Sequence, residues 1–203
     1  MHFDEESQKW DTKYRVQRAK KISTEIENYL DKDKILKALE FGCGTGLISE
    51  NLTHRFSDIL MMDLSEGMIE QLKFKIEKNK IKNMKTWCGD LFHFNDNEKF
   101  DVIYTSMVFH HVEDLPKVTK KLHELLNKDG KLVVVDLCPD DGGFHDELHG
   151  FNGHNGFEIG EMETLLKKAG FQVVSSRVFY SGIKENESKG QPYQLFSMCG
   201  IKN

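Results

Sequence analysis

The stretch Glu40-Phe41-Gly42-Cys43-Gly44-Thr45-Gly46 closes a short apolar run, Ile35 to Phe41. Three alternate glycines directly behind a strand constrain the chain more than any other feature. Glycine serves where backbone must turn sharply or lie against a ligand. An ordinary tight turn would explain one or two of them. Three at a strand–helix junction, with a helix expected to begin near Leu47, instead make a cradle of backbone amides. In a doubly wound sheet such a junction lies outside the carboxyl ends of the strands, where ligands bind. A nicotinamide dinucleotide is one candidate, but its fingerprint is GxGxxG; here the third glycine comes one residue early and Leu47 holds the later position. A phosphate-binding P-loop needs a lysine after the last glycine, and none follows Gly46.

The rest of the chain alternates strands and helices. Strands are predicted over 35–41, 58–64, 84–88, 100–107, 131–137, 172–180 and 193–201. Runs apolar on both faces fit a buried parallel sheet. Helical stripes are Ile22, Ile26, Tyr29 and Leu30; Met68, Leu72 and Ile76 behind a Ser65 cap; Val118, Leu122, Leu125 and Leu126; and Met162, Leu165, Leu166 and Ala169. Pro116 lies in the first turn of the third, and Gly130 just past its end. No helical pattern separates the last two strands. Their link, 181–192, reads as a loop, so the pair is expected to be antiparallel at the sheet edge. The fold class is therefore α/β: a doubly wound, mostly parallel, seven-stranded Rossmann-like sheet with an antiparallel edge strand. A chain of 203 residues suggests one domain, 1–203, with a helical N-terminal lid over 1–34 and an α/β core over 35–203.

Composition narrows the function. The formal net charge of −5 argues against a long nucleic-acid footprint, which needs a basic face. No apolar run approaches the roughly 20 residues of a membrane span. The N-terminus MHFDEESQKW is charged and lacks the apolar core of a signal peptide, so a cytoplasmic protein is expected. The four cysteines, Cys43, Cys88, Cys138 and Cys199, form no CxxC; they are expected to be reduced thiols.

The segment Glu40 to Gly46 resembles motif I of the class I S-adenosylmethionine-dependent methyltransferases. Further segments agree in order: MMDLSEGMIEQL (61–72), CGDLFHF (88–94), FDVIYTSMVFHHVEDLPKV (100–118) and LLNKDGKLVVVDL (125–137). Together they span about residues 10 to 175. The resemblance implies S-adenosyl-L-methionine as cofactor, S-adenosyl-L-homocysteine as product, and a role for each matching position. The backbone of Gly42, Gly44 and Gly46 holds the cofactor, and Glu40 is the buried acid organising the loop and the methionine ammonium. Asp63 takes the ribose hydroxyls, with Leu64 and Met68 beside it. Asp90 takes the adenine amino group, and the Leu91 amide meets the ring. Thr105 and Ser106 end the fourth strand near the methionyl tail. The leading stretch SQKWDTKYRVQRAKKI resembles the family's lid, with Trp10, Tyr14 and Arg15 closing the methionine end.

A donor of this kind carries an already activated methyl group, so the enzyme has mainly to align a nucleophile and exclude water. A base is needed only if the nucleophile arrives protonated. His110 and His111 are the candidates. Adjacent side chains diverge, so at most one faces the methyl; the other reading is an imidazole holding its own loop by backbone hydrogen bonds. His145, His149 and His154 fall in the turn-rich stretch 140–156 and are candidate substrate contacts, as is Asp136. A metal site there is conceivable, but none is assigned. There is no NPPY or DPPY tetrapeptide for stacking a nucleobase amine, and no paired-glutamate loop of arginine methyltransferases. The expected acceptor is a small molecule attacked through O, N or C. Alternatives are an RNA or protein acceptor, a non-catalytic S-adenosylmethionine-binding regulator, and an NAD oxidoreductase.

Overall fold

A computed structural model describes residues 2–95, 97–141, 143–145, 153–184 and 190–203. The chain opens with α1 (His2–Glu6), a 3-10 turn over Ser7–Lys9 and α2 (Lys13–Glu27). Then come β1 (Leu36–Phe41), β2 (Phe56–Asp63), α3 (Glu66–Asn79) and β3 (Met84–Cys88). The second half holds β4 (Phe100–Ser106), α4 (Leu115–Leu125), β5 (Leu126–Leu137), α5 (Ile159–Lys168), β6 (Phe171–Lys184) and β7 (Gln191–Lys202).

The strands form one sheet in the order β3-β2-β1-β4-β5-β7-β6. The first five in this order are parallel, and β7 runs antiparallel to both neighbours. The antiparallel strand is thus inserted one place in from the rim, and β6 is the edge. Strand order reverses at β1, whose neighbours are β2 and β4. The crevice of the fold opens there, above the carboxyl ends.

Side-chain alternation divides the core into two layers. Ala38, Val102, Tyr104, Val133 and Val135 face α2 and α3 through Ala19, Ile22, Ile26, Ile69 and Leu72. Leu39, Ile103, Leu132 and Val134 face α4 and α5 through Val118, Leu122, Leu125, Met162 and Leu166. Both faces are covered, so the central strands carry unbroken apolar runs.

The helix ends follow from local chemistry. The Ser65 hydroxyl accepts from Met68 N at 3.2 Å, and α3 stops at Lys80, which turns left-handed at φ 53°. The Asp114 carboxylate accepts from Lys117 N at 3.0 Å, ahead of Pro116. Three expectations are revised. Leu126 belongs to β5, not to the preceding helix, and the turn at Asp129 (φ 62°) and Gly130 lies inside that strand. The strands β6 and β7 extend into the expected 181–192 loop, because cross-strand pairing continues to Lys184↔Gln191. Tyr29 and Leu30 lie just past α2, closed at Asn28.

One polar cluster fixes α2 to the far end of the sheet. The buried Glu25 carboxylate accepts from Arg177 Nε at 2.8 Å, Arg177 Nη2 at 2.5 Å and Ser197 Oγ at 2.6 Å. Burial alone would raise its pKa. The bonds from Arg177 and Ser197 outweigh burial and hold it below its ordinary 4.5. A depressed carboxyl contributes stability above its unfolded pKa and loses it as pH falls through the folded one. Glu25→Ala should therefore cost about 1.5–3 kcal/mol near neutrality, read from urea midpoints. On acidification below 4.5 the difference between wild type and variant should shrink; an unchanged midpoint at pH 7 refutes the clamp.

Candidate active site at the carboxyl edge of the sheet

The chain leaves β1 into the glycine loop, and the loop is tied to β2. Gly42 N and Cys43 N both donate to Met62 O, at 2.8 and 2.9 Å. Gly42 has φ 73°, and a Cβ there would lie 2.2 Å from Val108 Cγ2. Gly46 has φ 83°, and its Cβ would meet Leu72 Cδ1 at 2.6 Å. Both conformation and space exclude a side chain. The α-helix expected near Leu47 is replaced by two short 3-10 turns, Ser49–Asn51 and Thr53–Arg55. Only nine residues separate Gly46 from β2 at Phe56, too few for a helix and its return. The cradle therefore consists of loop amides without a long helix behind it.

Two carboxylates flank this loop. Asp63, at the end of β2, accepts from Gly44 N at 2.7 Å through Oδ2 and from Ser65 N at 2.9 Å through Oδ1. Burial pushes its carboxyl up, against the pull of those amides. Glu40 is buried in β1 and accepts from the Ser49 hydroxyl, which also meets Tyr104 OH at 2.5 Å. Burial, reinforced by the nearby Asp63 charge, raises the Glu40 carboxyl to about 8 against the opposing Ser49 bonds. The Cys43 thiol is likewise raised, first by burial and then by Asp63 and Glu40, so it stays a thiol.

Glu40, Gly42, Gly44 and Asp63 line a cavity of about 350 Å³, within the roughly 300–1,000 Å³ of small-molecule sites. Leu64, Met68, Gly89, Ser106 and His111 also line it. The N-terminal segment forms its roof with Phe3, Trp10, Arg15 and Arg18. Two carboxylates latch that roof. Asp4 accepts from Ser65 Oγ at 2.6 Å and Gly67 N at 3.0 Å. Asp11 accepts from Thr45 Oγ1 at 2.5 Å and Lys75 Nζ at 2.9 Å. Phe3 packs edge-on against both Trp10 and His111, with ring centroids 5.7 and 5.4 Å apart.

Other candidate residues lie off the cavity wall. Gly46 and Leu91 are among these, Leu91 being buried in the core. Asp90 is exposed and caps the 3-10 turn Leu91–His93 through Phe92 N at 2.8 Å; Gly89 is the residue of that segment that faces the cavity. Tyr14 turns away to hydrogen-bond Tyr193. Thr105 is buried behind Ser106. His110 is buried, its Nδ1 2.6 Å from Asp136 Oδ1, and Asp136 also accepts from Phe109 N and Leu137 N at 2.9 and 2.7 Å. Both are spent on holding the turn after β4. His154 serves the same turn: its N–H donates to His110 O at 2.7 Å, and its ring lies 3.0 Å from Val112 O. The side chain of His145 and all of His149 lie outside the described residues. No cluster of His, Cys, Asp and Glu suited to a metal ion occurs among the described residues.

Sequence reasoning did not single out Phe3, Arg18, Asp4 or Asp11. The spacing of Arg15 and Arg18, one turn apart on an amphipathic helix, was the one usable signal. Trp87 was also missed. Its buried Nε1 has no hydrogen-bond partner among the described residues and lies 3.3 Å from where a Cβ on Gly89 would stand.

Glu40 supplies a pH prediction. A carboxyl raised in the folded state contributes stability below its unfolded value of 4.5, and that contribution is lost as pH rises through about 8. The ligand-free chain should lose melting temperature across this window, and Glu40→Gln should flatten the fall. Parallel profiles for the two proteins would refute the assignment.

Comparison with known proteins agrees with this geometry. The family model described as a methyltransferase domain matches residues 14–176. An uncharacterised methyltransferase of Schizosaccharomyces pombe is 32% identical over 162 residues, 72% of this chain and 56% of that one. A malonyl-[acyl-carrier protein] O-methyltransferase of Acetivibrio thermocellus is 31% identical over 137 residues, 66% of this chain and 47% of its own. The chain thus spans about half the length of the curated relatives it matches. The crystal structure of an S-adenosylmethionine-dependent methyltransferase from Clostridium acetobutylicum superposes with a TM-score of 0.68 at 18% identity, covering 100% of this chain and 97% of that one. With the glycine loop, the acid at the end of β2 and the strand order in place, the chain belongs to the methyltransferase domain family, on the fold of the class I S-adenosylmethionine-dependent methyltransferases.

Proposed function

We propose that this protein transfers the methyl group of S-adenosyl-L-methionine to a small-molecule acceptor. The carrying observation is the cavity itself, which has a glycine loop and two acids on its floor and a latched aromatic and cationic roof. The residues fit the cofactor. The hydroxyl of Ser106, on the cavity wall, is buried without a partner among the described residues, which a polar ligand tail would relieve. Asp63 keeps acceptor capacity beyond its two amide bonds, suiting a ribose diol. Leu64, 59% exposed at the cavity rim, is an apolar platform for a flat base.

When bound, S-adenosylmethionine supplies a methyl group on a positively charged sulfur. The chain's own residues do the rest. The Gly42–Gly46 loop approaches the ligand closely, Arg15 meets a carboxylate, and Glu40 meets an ammonium. A cation in the cavity favours the charged form of Glu40 and so lowers its raised pKa. Phe3 and Trp10 exclude water. Of the two histidines, His111 faces the cavity and His110 does not. His111 is therefore the group placed to take a proton from an acceptor that arrives protonated.

A small acceptor is supported by the size of the cavity, about 350 Å³, and by the acidic net charge of −5. Relatives named as O-methyltransferases of ubiquinone biosynthesis and of malonyl-[acyl-carrier protein] support an oxygen nucleophile.

Binding can be tested before any acceptor is known. At about 100 times Kd a ligand adds roughly 2.7 kcal/mol, or about 5–10 °C at this chain length. S-adenosylmethionine and S-adenosylhomocysteine should each give that shift, and NAD should give none; a shift with NAD alone would overturn the reading. Asp63→Ala should weaken S-adenosylmethionine binding by about 1.5–3 kcal/mol in calorimetry, and unchanged affinity removes Asp63 from the ribose.

A further inference from the structure

The roof of the cavity holds two guanidinium groups that, among the described residues, have no carboxylate in an ion pair with them. Arg15 and Arg18 lie one turn apart on α2, and both line the cavity. Arg15 stacks on the Trp10 ring at 3.8 Å and donates to Trp10 O at 3.2 Å. Arg18 donates to Tyr193 OH at 3.4 Å and sits 5.7 Å over the Tyr14 ring. Among the described residues, no carboxylate lies within ion-pair distance of either. Other half-buried cations do find partners: Lys75 bonds Asp11 and Glu50, and Arg55 bonds Glu27. Burial, reinforced by the Arg18 charge, lowers the pKa of Arg15 against the pull of the Glu6 and Asp11 charges. Half-buried like charges facing a shared cavity are costly unless a ligand supplies the opposite charge.

The two arginines point at different neighbours. Arg15 stays with Trp10, whose Nε1 lies 3.7 Å from where a Cβ on Gly44 would stand. It therefore sits over the glycine loop. Arg18 reaches the other way, to Tyr193 at the start of β7, beyond the carboxyl end of β5. There the Tyr193 ring packs against Phe144 at 5.0 Å and Tyr180 at 5.9 Å, with Tyr14 OH bonded to Tyr193 OH. Burial and mutual contact raise Tyr14 and Tyr180, so these phenols remain protonated donors. A guanidinium has five N–H donors, and among the described residues one of Arg18's is used.

We infer that Arg18, which lines the cavity roof and is held there by its bond to Tyr193 OH, forms an oxyanion subsite for the methyl acceptor, which is a small molecule bearing an anionic oxygen group beside a flat apolar body. This inference rests on the methyltransferase reading, in which Arg15 answers the carboxylate of the cofactor. Arg18, with no ion pair among the described residues, is then left for the second ligand.

The test uses matched probes, benzoate against benzamide and phenyl phosphate against phenol, titrated into the full chain with and without S-adenosylhomocysteine. For wild type, at least one anion should bind about tenfold or more tightly than its neutral counterpart. Which anion leads separates a carboxylate from a phosphate acceptor. Arg18→Met should abolish the preference and Arg18→Lys should keep part of it. S-adenosylhomocysteine affinity should change by less than about twofold in both. Absence of the preference in wild type, or its survival in Arg18→Met, overturns the subsite. Loss of S-adenosylhomocysteine affinity in Arg18→Met overturns it too, by moving Arg18 to the cofactor. Failure of wild type to bind S-adenosylhomocysteine at all counts against the methyltransferase reading; the probe series without it still decides the subsite.

Discussion

The hydrogen bond from Gly44 N to Asp63 Oδ2 is the constraint on which the rest of the site depends. It joins the loop after β1 to the end of β2, and Met62 O reinforces it by accepting from Gly42 and Cys43. With the loop pinned, Gly42 lies under Val108 and Gly46 against Leu72. The turn after β4 and the helix α3 are thereby located relative to the cavity floor. Asp63 is both a strut of the loop and a polar group at the cavity wall. The floor is therefore preformed, since a half-buried acceptor that already holds two amides is not free to wander.

Charge is arranged across the cavity with a definite sense. The acids Glu40 and Asp63 are set in the sheet, and the guanidiniums Arg15 and Arg18 are carried by the roof. Burial raises the pKa of both acids. The cavity thus has a cationic ceiling over a floor of carboxyls whose ionisation a bound cation would favour. A zwitterionic ligand matches such a field better than a neutral one of the same shape.

Much of this was legible in the sequence because strands buried on both faces leave unbroken apolar runs, and because positive φ leaves glycine. The seven strands, the glycine loop and Asp63 all belong to that legible part. The roof was less so. Asp4 and Asp11 are ordinary acidic residues in a charged N-terminus, and nothing in their spacing shows that Ser65, Gly67, Thr45 and Lys75 meet them from 30 or more residues away. The histidine pair shows the same limit. Adjacency in sequence says that two rings diverge, but only Asp136, brought in from β5, makes His110 the buried partner and leaves His111 on the cavity. The missing helix after Gly46 was a length error: the segment back to β2 is too short to hold one.

The strand order also has a consequence for how the chain is made. The edge strand β6 pairs with β7 alone, although β7 follows it in sequence. On a ribosome, where earlier segments emerge and fold first, β6 waits unpaired until β7 is synthesised. Tyr193, bonded to Tyr14 across 179 positions of chain, arrives with β7. The floor of the cavity can therefore be shaped early, while the wall around Arg18 is completed only with β7. A nascent chain passes through a stage in which its cavity floor exists and its far wall does not.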